Sequence, residues 1–156
     1  MKILGIDPGL KLCGYAVIEA DRNNMKLLEA GVCRTNTKLS LEKRLVQIAQ
    51  DINSLLEKFN PACMAVEDLY SHYAHPKTAI LMGHARGVIL AAACGKGTDV
   101  KSFAATRIKK SLTGNGRASK LQMQRSIKSM LGLAKAPEPA DVADAIAAAL
   151  CCANTI

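Results

Sequence analysis

Asp7, Glu67, Asp141 and Asp144 are the residues of this sequence whose type and placement could do chemistry. Asp7 closes the apolar run Lys2-Ile3-Leu4-Gly5-Ile6 and precedes Pro8-Gly9. Glu67 closes a second run, Cys63-Met64-Ala65-Val66. Asp141 and Asp144 are spaced i, i+3 at the start of an Ala-rich helical segment. The chain has 13 Asp plus Glu against 21 Lys plus Arg, so its acids are scarce. A carboxylate at the end of an apolar run is desolvated, and it must be paired or bound to a cation. A shared divalent metal is the simplest compensation. Oxygen donors without His or Cys select Mg²⁺, with Mn²⁺ able to substitute, over zinc. Two such ions ~4 Å apart suit in-line attack of water on a phosphodiester.

Each acid also has a plainer reading. Asp141 after Pro139-Ala140 would serve as a helix N-cap. Asp144 in the same first turn would answer the helix dipole. Glu67 would be a surface acid at a strand end, and Asp7 before Pro-Gly would start a turn. The metal reading gains from their combination with the elements that carry them.

Those elements follow from the hydrophobic pattern. Residues 2–7, 13–19 and 25–34 read as three successive strands, an antiparallel meander. Residues 41–58 read as an amphipathic helix with Ser40 as N-cap, stopped by Asn60-Pro61. A fourth strand, 62–67, follows that helix, so it runs parallel to an earlier one. If the first and fourth strands are neighbours, ~4.8 Å apart, Asp7 and Glu67 are side by side at strand carboxyl ends. Residues 77–94 read as a helix apolar nearly all round, hence wedged in a core or shared with a second subunit. Residues 98–103 make a fifth strand, 104–132 a helix broken at Thr113-Gly114-Asn115-Gly116, and 140–153 the last helix. The order predicts an α/β fold, a five-stranded mixed sheet flanked by helices, in a single domain over residues 1–156.

The net charge of +8 points to a polyanionic partner. Residues 100–137 contain no acid but carry Lys101, Arg107, Lys109, Lys110, Arg117, Lys120, Arg125, Lys128 and Lys135. Such a block repels itself unless something negative lies against it, and nucleic acid fits. The six cysteines form no Cys-x-x-Cys pair, and Cys63 and Cys94 read as small buried hydrophobes in a reducing, cytoplasmic setting. No signal peptide is expected, and no membrane span of ~18 apolar residues.

In this order the motifs resemble the RuvC family of Holliday-junction resolvases. Ile3-Leu4-Gly5-Ile6-Asp7-Pro8-Gly9 with Gly14-Tyr15-Ala16-Val17-Ile18 resembles its first hairpin. Ala65-Val66-Glu67-Asp68-Leu69-Tyr70 resembles its second acidic motif, and Leu81-Met82-Gly83-His84-Ala85-Arg86-Gly87 its central helix. The stretch from Ile108 to Lys120 resembles its basic segment, and Pro139-Ala140-Asp141-Val142-Ala143-Asp144-Ala145 its closing acidic motif. His84, Cys13 and the Cys151-Cys152-Ala153-Asn154 end depart from the family pattern and leave the four acids intact. The resemblance implies a ribonuclease-H-like fold, a homodimer, and Mg²⁺-dependent paired nicking of four-way junction DNA. It places Asp7, Glu67, Asp141 and Asp144 at the metals, and implies a branch-migration motor complex as partner.

Around the acids, Tyr70 could stack on a splayed base, and Lys109, Lys110, Arg117 and Lys120 could hold strands beside the glycines at 114 and 116. His72 and His75 read as surface residues. Arg86 either pairs with an acid or reaches DNA. A nuclease maturing structured RNA and a non-catalytic junction-binding module are the competing functions.

Overall fold

The alternation of small and branched apolar residues in the N-terminal half produces strands buried on both faces. The computed structural model describes every residue except Asn23 and residues 70–74. Strands β1 (Lys2–Asp7), β2 (Leu12–Asp21) and β3 (Asn24–Arg34) form the expected meander. Helix α1 (Leu41–Phe59) crosses to β4 (Cys63–Glu67), and α2 (Pro76–Gly95) crosses to β5 (Asp99–Phe103). Then come α3 (Ala105–Thr113), α4 (Lys120–Leu131) and α5 (Ala140–Ala153). The sheet order is β3-β2-β1-β4-β5. Both β1–β4 and β4–β5 are parallel, so the crossover argument holds.

The sheet separates two cores. On one side Leu4, Ile6, Met64 and Val66 pack with Ile48 and Ile52 of α1 and with Ala85, Ile89 and Ala93 of α2. On the other, Ile3, Cys63 and Ala65 pack under α5, with α3 and α4 outside it. Helix α5 lies so close to the sheet that a Cβ on Gly5 would fall 2.0 Å from the Ala145 carbonyl oxygen. One on Gly14 would fall 2.1 Å from the Asp141 carbonyl oxygen. These two glycines let alanine-rich backbone meet strand backbone directly. Ten α5 residues, from Val142 to Cys152, are buried.

Several local expectations change. Helix α5 begins at Ala140 with Pro139 at the cap, so Asp141 is not its N-cap. Asp141 sits in the first turn, but Asp144 lies a turn deeper, where the end charge of the helix has decayed. Ser40 occupies the cap of α1, yet its hydroxyl donates to Glu42 at 2.6 Å instead of capping a backbone amide. The capping box is found at α4, where Ser119 and Gln122 bond reciprocally.

Helix α2 is not wedged in a core, the first of the two alternatives expected for it. Only Ala85, Ile89 and Ala93 are buried in it, because one stripe meets α1 and the sheet while the other faces outward. Ile80 on that outer stripe is 62% exposed, and Val46 of α1 is 54% exposed. Among the described residues, α2 alone is long and apolar enough to cross a membrane. Its inner stripe is nevertheless committed to the sheet, and it carries a bonded arginine. Cys63 is buried as expected, with its sulfur 3.6 Å from that of Cys152, whereas Cys94 is exposed at the end of α2.

Candidate active site

Strand periodicity decides where the two strand-end acids point. Ile3, Gly5 and Asp7 alternate with Leu4 and Ile6, and Cys63, Ala65 and Glu67 with Met64 and Val66. Leu4, Ile6, Met64 and Val66 belong to the α1/α2 core, so Asp7 and Glu67 face α5. The register pairs Ile6 with Val66, which makes the next residues, Asp7 and Glu67, neighbours on one face. Gly14 is the β2 partner of Asp7, and the Asp141 backbone rests against it. The start of α5 is therefore carried over the end of β1.

The electrostatics register this gathering. Burial first, then the charges of Asp144, Asp141 and Glu67, push the Asp7 carboxyl up to about 7, against a smaller opposing pull from Lys120. Burial, then Asp144, also raises Glu67, while Lys109 opposes. Asp144 keeps exposed surface, but burial of its carboxyl raises it too, aided by Asp141 and opposed by Lys120 and Lys109. So sequence-distant acids crowd one another, and two lysines of the basic block answer them.

A cleft of about 220 Å³ runs beside this group. Glu67 and Asp144 line it together with Lys109 of α3, Lys120, Met123 and Gln124 of α4. Lys110 and Arg117 are exposed and stand outside its lining. Gly114 ends α3 with φ of 77° and turns the chain toward α4, so the break in the basic segment is a helix cap. Tyr70 and His72 lie outside the described residues, and His75 is exposed at the cap of α2. Gln124 carries no motif that would have singled it out.

Arg86 is the residue whose place the sequence left open. Its guanidinium donates to the Glu67 carbonyl at 2.5 Å and to the Ser102 hydroxyl at 2.9 Å, with Asp68 at 3.6 Å. The side chain is 11% exposed, which leaves little of it for a phosphate.

A sequence model of the family described as crossover junction endodeoxyribonuclease RuvC matches residues 3–152. The chain belongs to the RuvC family. Its curated relatives include the crossover junction endodeoxyribonuclease RuvC of Rhodopirellula baltica, 50% identical over 96% of this chain and 84% of that one. The Thermus thermophilus RuvC structure matches with a TM-score of 0.91 at 31% identity, covering 99% of this chain and 94% of that one. Thermus thermophilus RuvC in complex with Holliday junction substrate matches at 0.92 and 32% identity, covering 97% and 92%. The expected ribonuclease-H-like fold is thereby established.

RuvC nucleases are metal-dependent, and the residues present can be tested against that. Among the described residues no three His, Cys, Asp or Glu side chains are arranged to hold an ion. The donor set itself fits: four carboxylates on one side of the sheet, with no described histidine or thiol beside the cleft, are hard oxygen ligands.

Proposed function

We propose that this chain is a structure-selective DNA endonuclease that resolves four-way Holliday junctions by paired symmetric nicks during recombination and repair. It works as one domain over residues 1–156, in the cytoplasm, with a branch-migration motor complex as partner. The observation that carries the reading is the convergence of Asp7, Glu67, Asp141 and Asp144 on one sheet face, beside a cleft that Lys109 and Lys120 close. Membership of the RuvC family and the junction complex of its Thermus relative support it.

Asp7, Glu67, Asp141 and Asp144 would hold Mg²⁺, with Mn²⁺ able to substitute and two ions per site. Bound there, the cations supply charge neutralisation at the phosphodiester and activation of the attacking water. The protein's share is orientation. Asp7 and Glu67 are fixed by strand ends, Asp141 and Asp144 by a helix that cannot slide on Gly5 and Gly14. Lys109 and Lys120 present cations to the phosphates, and Lys110 and Arg117 extend that surface outward. Affinity then falls steeply with salt as counter-ions are released.

Two active sites related by a two-fold axis match the symmetry of a four-way junction. The outward stripe of α2 is the contact for the second copy. Ile80, Gly83, His84, Gly87 and Val88 line a shallow groove there with Leu45 of α1.

The test is a labelled four-way junction incubated with protein, with and without Mg²⁺. Paired symmetric nicks are expected only with the metal. Asp7→Asn should lower nicking more than about a hundredfold while junction binding persists. Cleavage of structured RNA in preference to the junction would favour the RNA nuclease. No nicking by the wild type, with Asp7→Asn indistinguishable from it, would leave only a binding module.

A further inference from the structure

The chain leaves the sheet at Glu67 and returns at Pro76 as α2, and Arg86 joins the two. We propose that Arg86 is a positioning residue for strand cleavage: it fixes the carboxyl end of β4, and with it the Glu67 side chain, to α2 and β5. The inference rests on the reading of Glu67 as a metal ligand given above.

Three observations support it. First, the contact is with the Glu67 main chain, through the carbonyl, so it constrains the backbone from which the carboxylate projects. Second, the planar guanidinium has two separate anchors, the Glu67 carbonyl and the Ser102 hydroxyl of β5, and it bridges the carboxyl ends of two parallel strands. An ammonium is a point donor and cannot reproduce that fork. Third, Arg86 follows Ala85, fully buried on the inner stripe of α2, and precedes Gly87, exposed on the outer one. A shift of α2 against the sheet is therefore a shift at Glu67. The same bond gives the surface assigned to the second copy a direct mechanical path to the site.

The experiment compares wild type, Arg86→Gln, Arg86→Lys, Ser102→Ala and Glu67→Gln as full chains. Single-turnover cleavage of a four-way junction is measured at saturating protein, together with junction Kd, the Mg²⁺ concentration for half-maximal rate, and the rise in Tm produced by Mg²⁺ without DNA. Arg86→Gln is expected to cleave about a hundredfold more slowly, the scale of an ångström-sized misplacement. It should bind the junction as wild type does, need more Mg²⁺, and gain less Tm from it. Arg86→Lys should recover only part of the loss, and Ser102→Ala should show a smaller loss of the same kind. If Arg86→Gln does not fold, the proposal stands or falls on Arg86→Lys and Ser102→Ala. Unchanged rate and Mg²⁺ dependence in the folded variants would overturn it, as would weakened junction binding with normal cleavage once bound. Full cleavage by Glu67→Gln would instead remove the reading of Glu67 on which the inference stands.

Discussion

Helices α2 and α5 look alike as sequence and behave as opposites in the molecule. Both are rich in alanine and apolar residues, and both cover the parallel strands. In α5 ten residues are buried and the backbone touches the sheet, whereas α2 buries three and leaves Ile80 outside. The difference lies in what faces them. Under α5 the strands present Gly5 and Gly14, so the helix descends until main chains touch. Under α2 they present Leu4, Ile6, Met64 and Val66, which hold the helix at side-chain distance. The close helix bears Asp141 and Asp144 and has no room to move. The distant one keeps an exposed apolar stripe, and Arg86 ties it to the strand ends.

Substitutions at glycine separate the two most sharply. Gly5→Ala puts a methyl into the Ala145 backbone, which cannot yield cheaply, and should cost about 3 kcal/mol or more in urea unfolding. Gly87→Ala, in open space on α2, should be neutral or stabilising by about 0.5–1 kcal/mol for the protomer. Equal losses at both positions would erase the contrast.

The next effect concerns pH and centres on the α5 side, where three carboxyls are raised together, against Asp51 alone on α1. Without metal, folded Asp7 keeps its proton to about 7, against an ordinary value of 3.8. Between those values the unfolded chain has released a proton that the folded chain still holds. Stability therefore falls as pH rises through that window and levels off above it. Glu67 and Asp144 shift in the same sense. For Asp7 alone the change is a few kcal/mol at most, on a scale of about 1.4 kcal/mol per unit. Chelated protein should melt lower at neutral than at mildly acidic pH, Mg²⁺ should reverse this, and Asp7→Asn should flatten the slope. Identical slopes in wild type and Asp7→Asn would mean that the acids do not sense one another.

The smallest effect on the fold itself is expected at the α2 stripe. Ile80→Asp replaces an exposed side chain, so protomer stability should move by less than about 0.5 kcal/mol. Sedimentation should nonetheless show the proposed dimer dissociating. A variant that stays dimeric would move the contact elsewhere.

Most of the architecture was legible because strand and helix periods are local. The break at 113–116 announced two helices, and the strand-helix-strand order announced that β4 runs parallel to an earlier strand, which the structure shows to be β1. The pairing of Asp7 with Glu67 followed from the same order. The exposure of α2 was not legible, since hydropathy reports which residues avoid water and not what covers them. Nor was the role of Arg86, because its partner is a main-chain carbonyl and leaves no mark in side-chain composition. The cap of α5 was misassigned by one turn's logic: Pro139 satisfies the geometry that an aspartate usually supplies.

Cys94 gives the outward helix a chemical handle. It is the exposed thiol among six, the other five being wholly or partly covered. A thiol-reactive fluorophore added to the unaltered chain should therefore attach first at the far end of α2. Energy transfer between labelled copies would then follow their approach in real time, with no engineered cysteine.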